Sequence, residues 1–178
     1  MDDATSWRAD VAREQRWRAE SYLGRNTPLS AEARRAFKGL GFYPIDPRFR
    51  LRDVKLERHA QPKPGNLGST GPDAVAMLEV GVVRFALLGE ACALKVFAPA
   101  PGEAAEDYLL IPFRDATSGD GTYGAGRYLD LEPNVADRYE IDFNRAYHPY
   151  CAHDDAWSCT LPPPDNRLPV KVEAGERL

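Results

Sequence analysis

The hydrophobic rhythm of the chain changes once. Between residues 4 and 23 apolar positions recur at helical spacing, Trp7 with Val11 and Ala19 with Tyr22 and Leu23, among many Arg, Glu and Ala. The stripe is incomplete, so the spacing predicts a helix that packs through its aromatics and exposes its charges. Gly24 and Asn26 should stop it. A second, short helix should start at Ser30, a good N-cap, with Glu32 in its first turn and Gly39 and Gly41 at its end. Ala33, Phe37 and Leu40 would then face inward.

From there the period is two. Phe49 and Leu51 alternate with Arg50 and Arg52, and Val54 and Leu56 continue on the opposite parity, which predicts a bulge or a break near Asp53. Residues 60–73 read as a loop, and 77–83, 84–88, 92–98 and 108–113 as strands. Gly89-Glu90 reads as a tight turn and 99–106 as a loop. Residues 127–131, 139–144 and 168–172 also alternate as strands do. Short spacing without intervening helices favours antiparallel pairing over βαβ units. The expected fold is α+β: two N-terminal helices packed on a curled antiparallel sheet or barrel-like body. Residues 1–178 form one expected domain, with a helical segment at 1–41 and a β-rich body with a C-terminal motif region at 42–178. The length of 178 residues, the fifteen prolines and the fourteen glycines agree with such a body.

Charge narrows the partners. Formal net charge is -4 and the isoelectric point about 5.4. Residues 1–60 carry 13 Lys/Arg against 9 Asp/Glu, and residues 61–178 carry 10 against 18. A nucleic-acid footprint would want an isoelectric point above roughly 9, so no nucleic-acid partner is expected. No apolar run is long enough to cross a bilayer. The acidic Met1-Asp2-Asp3 start is unlike a signal peptide, and three cysteines then suggest free thiols in a cytoplasmic chain.

Candidate chemistry gathers between Phe113 and Asn166. Gly119-Asp-Gly121-Thr-Tyr-Gly124 matches G-x-G-x-x-G, but the next residues, Gly126 to Leu131, alternate like a strand, so a dinucleotide site lacks its helix. As a glycine-rich hairpin loop, it offers Thr117, Ser118, Thr122 and Tyr123 between Arg114 and Arg127, a set suited to an anion or a carboxylate. The plainer alternative pairs both arginines with Asp115, Asp120 or Asp130 to pin the loop. On the 139–144 strand Glu140, Asp142 and Asn144 share one face, making Asp142 a candidate acid/base group and Asn144 its orienting partner. His148, Cys151, His153 and Cys159 lie within twelve residues, a donor set that zinc or another transition metal accepts, although the spacing is not that of a standard zinc finger. The same residues read as a Cys151 or Cys159 nucleophile activated by His153, or as structural thiols. Leu161-Pro-Pro-Pro-Asp165-Asn166 reads as a rigid polyproline wall ending in Asn166.

Several ordered motifs carry a resemblance: Ile111-Pro-Phe-Arg-Asp-Ala-Thr-Ser-Gly119, Thr122 to Leu129, Asp142-Phe-Asn144, Pro149-Tyr-Cys-Ala152, Cys159, Pro162-Pro163, Asn166-Arg-Leu168 and Ala174-Gly-Glu176, after Phe37, Gly39-Leu40 and Phe42-Tyr43-Pro44. Together they resemble the bacterial and archaeal domain-of-unknown-function family numbered 1684. The resemblance implies a stand-alone domain with no assigned activity. It also implies that Asn commonly stands at position 148 and Tyr at 153, so the histidines would not be family-wide ligands. The functional expectation is an enzyme acting on a small anionic metabolite. Arg114, Thr117, Ser118, Thr122, Tyr123, Arg127, Tyr147 and Asn166 would line the pocket, and Asp142, Asn144 and Cys151 would do the chemistry. The alternative is a non-catalytic module that binds a small molecule or a partner at the same rim.

Overall fold

A computed structural model describes residues 3–72, 75–103 and 108–178. Helix α1 spans Asp3–Leu23 and α2 spans Ala31–Ala36. The strands are β1 (Gly41–Phe42), β2 (Arg50–Pro64), β3 (Met77–Leu87), β4 (Glu90–Pro99), β5 (Leu109–Phe113), β6 (Arg127–Leu131), β7 (Arg138–Asp142) and β8 (Glu176–Arg177). Six of them form one antiparallel sheet in the order β6-β5-β4-β3-β2-β7, and β1 pairs with β8 in a separate ribbon. The sheet curls into a half-barrel whose edge strands β6 and β7 approach each other across a seam.

Alternation explains the curl. Val54, Leu56, Val83, Leu87, Leu94, Val96, Ile111, Phe113, Leu129 and Ile141 all bury their side chains in one concave core. The opposite faces of β3 to β6 carry a smaller cluster of Met77, Phe97, Leu110 and Tyr128. Thus both faces of the sheet are covered in this region, and β5 is buried at every position.

The α+β reading holds, but its second helix does not. Helix α2 has Ser30 as its N-cap as expected, yet it is six residues long and buries none of them. Arg34 and Arg35 leave it no apolar stripe, and Phe37, just past its end, is the residue that packs, its ring 5.3 Å from that of Tyr22. Helix α1 is laid on the body by Trp7, Val11 and Tyr22, while Leu23 stays exposed. Between these anchors Gln15 donates to the Asn144 carbonyl at 3.0 Å and Arg18 pairs with Glu176. Positions 7, 11, 15, 18 and 22 follow helical spacing, so the incomplete apolar stripe is a complete stripe of mixed chemistry.

The slip near Asp53 is a bulge. Register shifts between Leu51 and Val54 against β7, and Asp53 takes φ 57°. The turn between β3 and β4 sits one residue earlier than expected. Leu88 (φ 52°) and Gly89 (φ 88°) are its two central residues, the left-handed pair that a two-residue hairpin needs. Residues 77–83 and 84–87 form one strand rather than two, and Leu88 belongs to the turn. Residues 60–64 are strand, not loop, because β2 continues to Pro64 along β3. Its other edge there is unpaired, which accommodates Pro62 and Pro64. Residues 168–172 form no strand. Asp73 and part of the 99–106 loop, like Met1-Asp2, lie outside the described residues.

Candidate functional site

The glycine-rich loop does bind a carboxylate, and the carboxylate is the protein's own. Asp115 is fully buried. One of its oxygens accepts from the Thr117 backbone N–H at 2.9 Å and the Thr117 hydroxyl at 2.6 Å. The other accepts from Arg127 Nη2 at 2.9 Å and the Val172 N–H at 2.9 Å. Thr122 closes the set through Thr117 at 2.9 Å, and the Ser118 hydroxyl accepts from the Asp115 N–H at 3.1 Å. Arg127 is also buried, and its remaining donors go to the carbonyls of Val172, Ala174 and Glu176. Burial pushes its pKa down while Asp115 opposes that shift. Arg127, Thr117 and Thr122 are therefore turned inward, away from any external anion. Arg114 lies apart, half-buried, its Nε donating to the Ala125 carbonyl at 3.3 Å.

Asp142 and Asn144 hold the helix rather than a reactant. The Asp142 carboxylate accepts from Trp7 Nε1 at 2.7 Å, from the Asn144 N–H at 3.0 Å and Nδ2 at 2.8 Å, and from Arg145. Asn144 Oδ1 accepts from the Asp46 N–H at 2.8 Å and its Nδ2 reaches the Asp46 carbonyl at 2.9 Å. Strand β7 ends at Asp142, which caps the short turn Phe143–Arg145.

Asn166 is a clip between diverging strands. Its Oδ1 accepts from the Lys95 N–H at 2.8 Å, and its Nδ2 donates to the carbonyls of Lys95 at 2.9 Å and Pro112 at 2.8 Å. It thus joins β4 to β5 beside Phe97–Leu110, the one register pair between them. Asn166→Ala should lower unfolding free energy by about 1–3 kcal/mol, because buried backbone groups lose their partners. Urea denaturation measures it, and an unchanged midpoint would remove this role.

The four expected metal donors separate into two groups. His148, His153 and Glu176 bring one ligand atom each within 4.8 Å of one another. Cys151 and Cys159 form a pair of their own, with the Cys151 N–H donating to Cys159 Sγ at 3.4 Å. The hydrogen bonding of His148 bears on what this group could hold. His148 Nε2 accepts from the Tyr123 N–H at 3.2 Å, so the ring proton sits on Nδ1, the atom that faces Glu176 Oε2 at 3.5 Å. A protonated Nδ1 has no lone pair for a cation. Burial lowers the His148 pKa to about 3, helped by Arg127, His153 and Arg18, and the Arg127 and Arg18 charges disfavour a metal ion. His153 is also lowered, by burial and then by Arg18. Burial raises Glu176, against Arg18 and the His148 N–H, which donates to it at 2.7 Å.

A concave site lies nearby, between α1 and the outward-facing residues of β6. It encloses about 500 Å³ and is walled by Arg18, Tyr128, Asp130, Tyr147, Tyr150 and Cys159, among others. Arg18 lies over the Tyr147 ring at 4.3 Å, and Tyr128 meets that ring edge-on at 5.7 Å. The Tyr147 hydroxyl donates to Asp130 at 2.8 Å. Asp130 is exposed on the cavity side, where desolvation raises it from its ordinary value and the Tyr147 bond and Arg18 oppose that shift.

Residues 35–177 match the model of a family described as protein of unknown function, DUF1684. The chain belongs to this family. The DUF1684 chain is also similar to the solution NMR structure of the uncharacterized protein from gene locus rrnAC0354 of Haloarcula marismortui. The two share 35% identity over 99% of this chain and 96% of that one, with a TM-score of 0.75. No curated protein matches it. No helix among the described residues is long and apolar enough to cross a membrane.

Of the expected pocket residues, Tyr147 and Asn144 line the cavity of this DUF1684 chain, and Cys159, expected as a metal donor or nucleophile, lines it too. Arg18, Tyr128, Asp130, Tyr150 and Glu176 were not expected there. The alternation of Arg127–Leu131 already put Tyr128 and Asp130 together on one face. Nothing local marks Arg18, whose partner Glu176 is 158 residues away.

Proposed function

We propose that this protein is a non-catalytic module that binds a small molecule in the cavity between α1 and β6. The ligand is an apolar or aromatic body with a cationic amine directed at Asp130. One observation carries the reading. Asp130 hydrogen-bonds only to the Tyr147 hydroxyl and has no cation within ion-pair distance among the described residues, whereas the other wall acids, Glu14 and Glu176, pair with Arg145 and Arg18. An exposed carboxylate without an ion-pair partner, beside Tyr128, Tyr147 and Tyr150, favours an ammonium over an anion. The enzymatic alternative at the 114–166 rim loses support, since Arg127, Asp142 and Asn144 are saturated by internal bonds.

Phenethylamine and 3-phenylpropionate, matched in size and opposite in charge, separate the readings. Titration followed by NMR should show the amine shifting the resonances of Tyr147 and Tyr128. Asp130→Asn should weaken it roughly tenfold, the equivalent of about 1.4 kcal/mol. Binding of the carboxylate alone would return the site to an anionic ligand and overturn the proposal.

A further inference from the structure

The two cysteines near the cavity are held together by backbone, not by chance of side-chain packing. Cys151 sits in the short turn Tyr150–Ala152. Its N–H reaches Cys159 Sγ at 3.4 Å, so the second sulfur rests against the turn that carries the first. Cys159 is fixed from the other side. Its N–H donates to the Thr70 hydroxyl at 2.8 Å, and its carbonyl accepts from the Thr70 N–H at 2.9 Å. The neighbouring Ser69–Thr160 bridge and the Leu161 N–H bond to the Gly68 carbonyl at 2.8 Å extend that clamp. Both thiols are free, and Cys159 forms part of the cavity wall while Cys151 lies behind it.

We propose that Cys151 and Cys159 form a redox-active dithiol that low-molecular-weight disulfides oxidise through the cavity. The proposal stands independently of which ligand the cavity takes. The exchange balances in two steps. Cys151, resting as the thiolate, takes the proton of Cys159, and the Cys159 sulfur attacks one sulfur of the small disulfide, forming a mixed disulfide and expelling a thiolate. That thiolate takes the proton from Cys151, whose sulfur attacks Cys159 and expels the second thiolate, protonated by solvent water to a thiol. The protein gives up two electrons and the Cys159 proton, solvent supplies the second proton, and the small disulfide becomes two thiols.

The surroundings stabilise a negative sulfur. Proximity to Cys159 holds Cys151 down, at about 6, with Thr70 and Tyr123 acting in the same direction against the cost of burial. Cys159 is raised correspondingly, first by Cys151 and then by burial. Tyr123 is pushed up to about 12, first by burial and then by Cys151. The third cysteine supplies an internal control. Cys92 lies in the concave core, its S–H directed at the Glu90 carbonyl, and burial raises it.

The test uses the native protein and oxidised glutathione at neutral pH, read by intact mass and peptide mapping. The thiol count should fall from three to one, with a Cys151–Cys159 disulfide, no retained glutathione, and Cys92 still free. Dithiothreitol should restore all three. Cys151→Ser, lacking the base of the first step, should slowly acquire a single glutathione on Cys159 and hold it. Tyr123→Phe, which keeps both thiols, should reach the same disulfide more slowly. A stable glutathione adduct on wild-type protein, oxidation of Cys92 in place of the pair, or no reaction until the chain is denatured would each overturn the proposal.

Discussion

Alanine at Asp115 is expected to lower the unfolding free energy by about 3–5 kcal/mol, a large part of what a domain of this size has. The substitution removes a buried carboxylate and leaves the buried Arg127 guanidinium without its counter-charge. It also strands the Thr117 and Val172 N–H groups, so the 115–122 loop and the 172–176 segment lose the atom around which both are folded. The effect belongs to the unpaired charge more than to the lost pair. Replacing Asp115 by Leu together with Arg127 by Met should therefore recover part of the loss, although the carbonyls of residues 172, 174 and 176 would still lack their donor. Guanidinium denaturation of wild type and the two variants measures this. A single Asp115→Ala variant within about 1 kcal/mol of wild type would mean that Arg127 finds water or another acid.

The second large effect is acid sensitivity through His148. Its native pKa of about 3 lies below the ordinary 6.5. Between those values the unfolded chain holds a proton that the native state does not, so stability falls as pH drops below 6.5, by about 1.4 kcal/mol per pH unit. From pH 6.5 to 4 the loss from this residue alone is about 3 kcal/mol. His153, also lowered, adds in the same direction. Glu176 acts oppositely: its native pKa is raised, so its contribution falls as pH climbs above 4.5, making the net slope shallower there. His148→Asn should be less stable than wild type at neutral pH yet lose less on acidification. The comparison is the change in unfolding free energy between pH 6.5 and 4, and equal changes in both proteins would show that His148 is not held neutral.

Much of the sheet was legible because alternation there reports a physical constraint. Arg127–Leu131 is bounded as its pattern indicates, and the parity slip at Asp53 is a real bulge. Where burial came from something other than pairing, the same pattern misled. Leu168 and Val172 are buried as strand residues would be, but the chain there turns its Val172 carbonyl toward a guanidinium, not toward a neighbouring strand. The run 60–64 failed the other way, since a strand with one open edge tolerates prolines that a central strand would not. The loop residues Thr117, Thr122 and Arg127 were expected to take an external anion, with pairing to a loop acid as the plainer alternative, and Thr117 and Arg127 bond Asp115. A sequence cannot say whether the carboxylate is a ligand or Asp115, because that depends on which way the loop folds. Asp130 was within reach of the alternation on β6, and only the position of α1 turns that exposed-face residue into a cavity wall.

The ties between α1 and the body span great distances along the chain. Trp7 reaches Asp142 across 135 residues, Gln15 reaches Asn144 across 129, and Arg18 reaches Glu176 across 158. A ribosome makes the helix first and its anchors much later. Alone, a mostly polar helix of this length is marginal in water. During synthesis the helix therefore waits, exposing Trp7 and Tyr22, until the 142–148 turn and then Glu176 emerge, and docking it becomes a closing step of folding rather than an opening one.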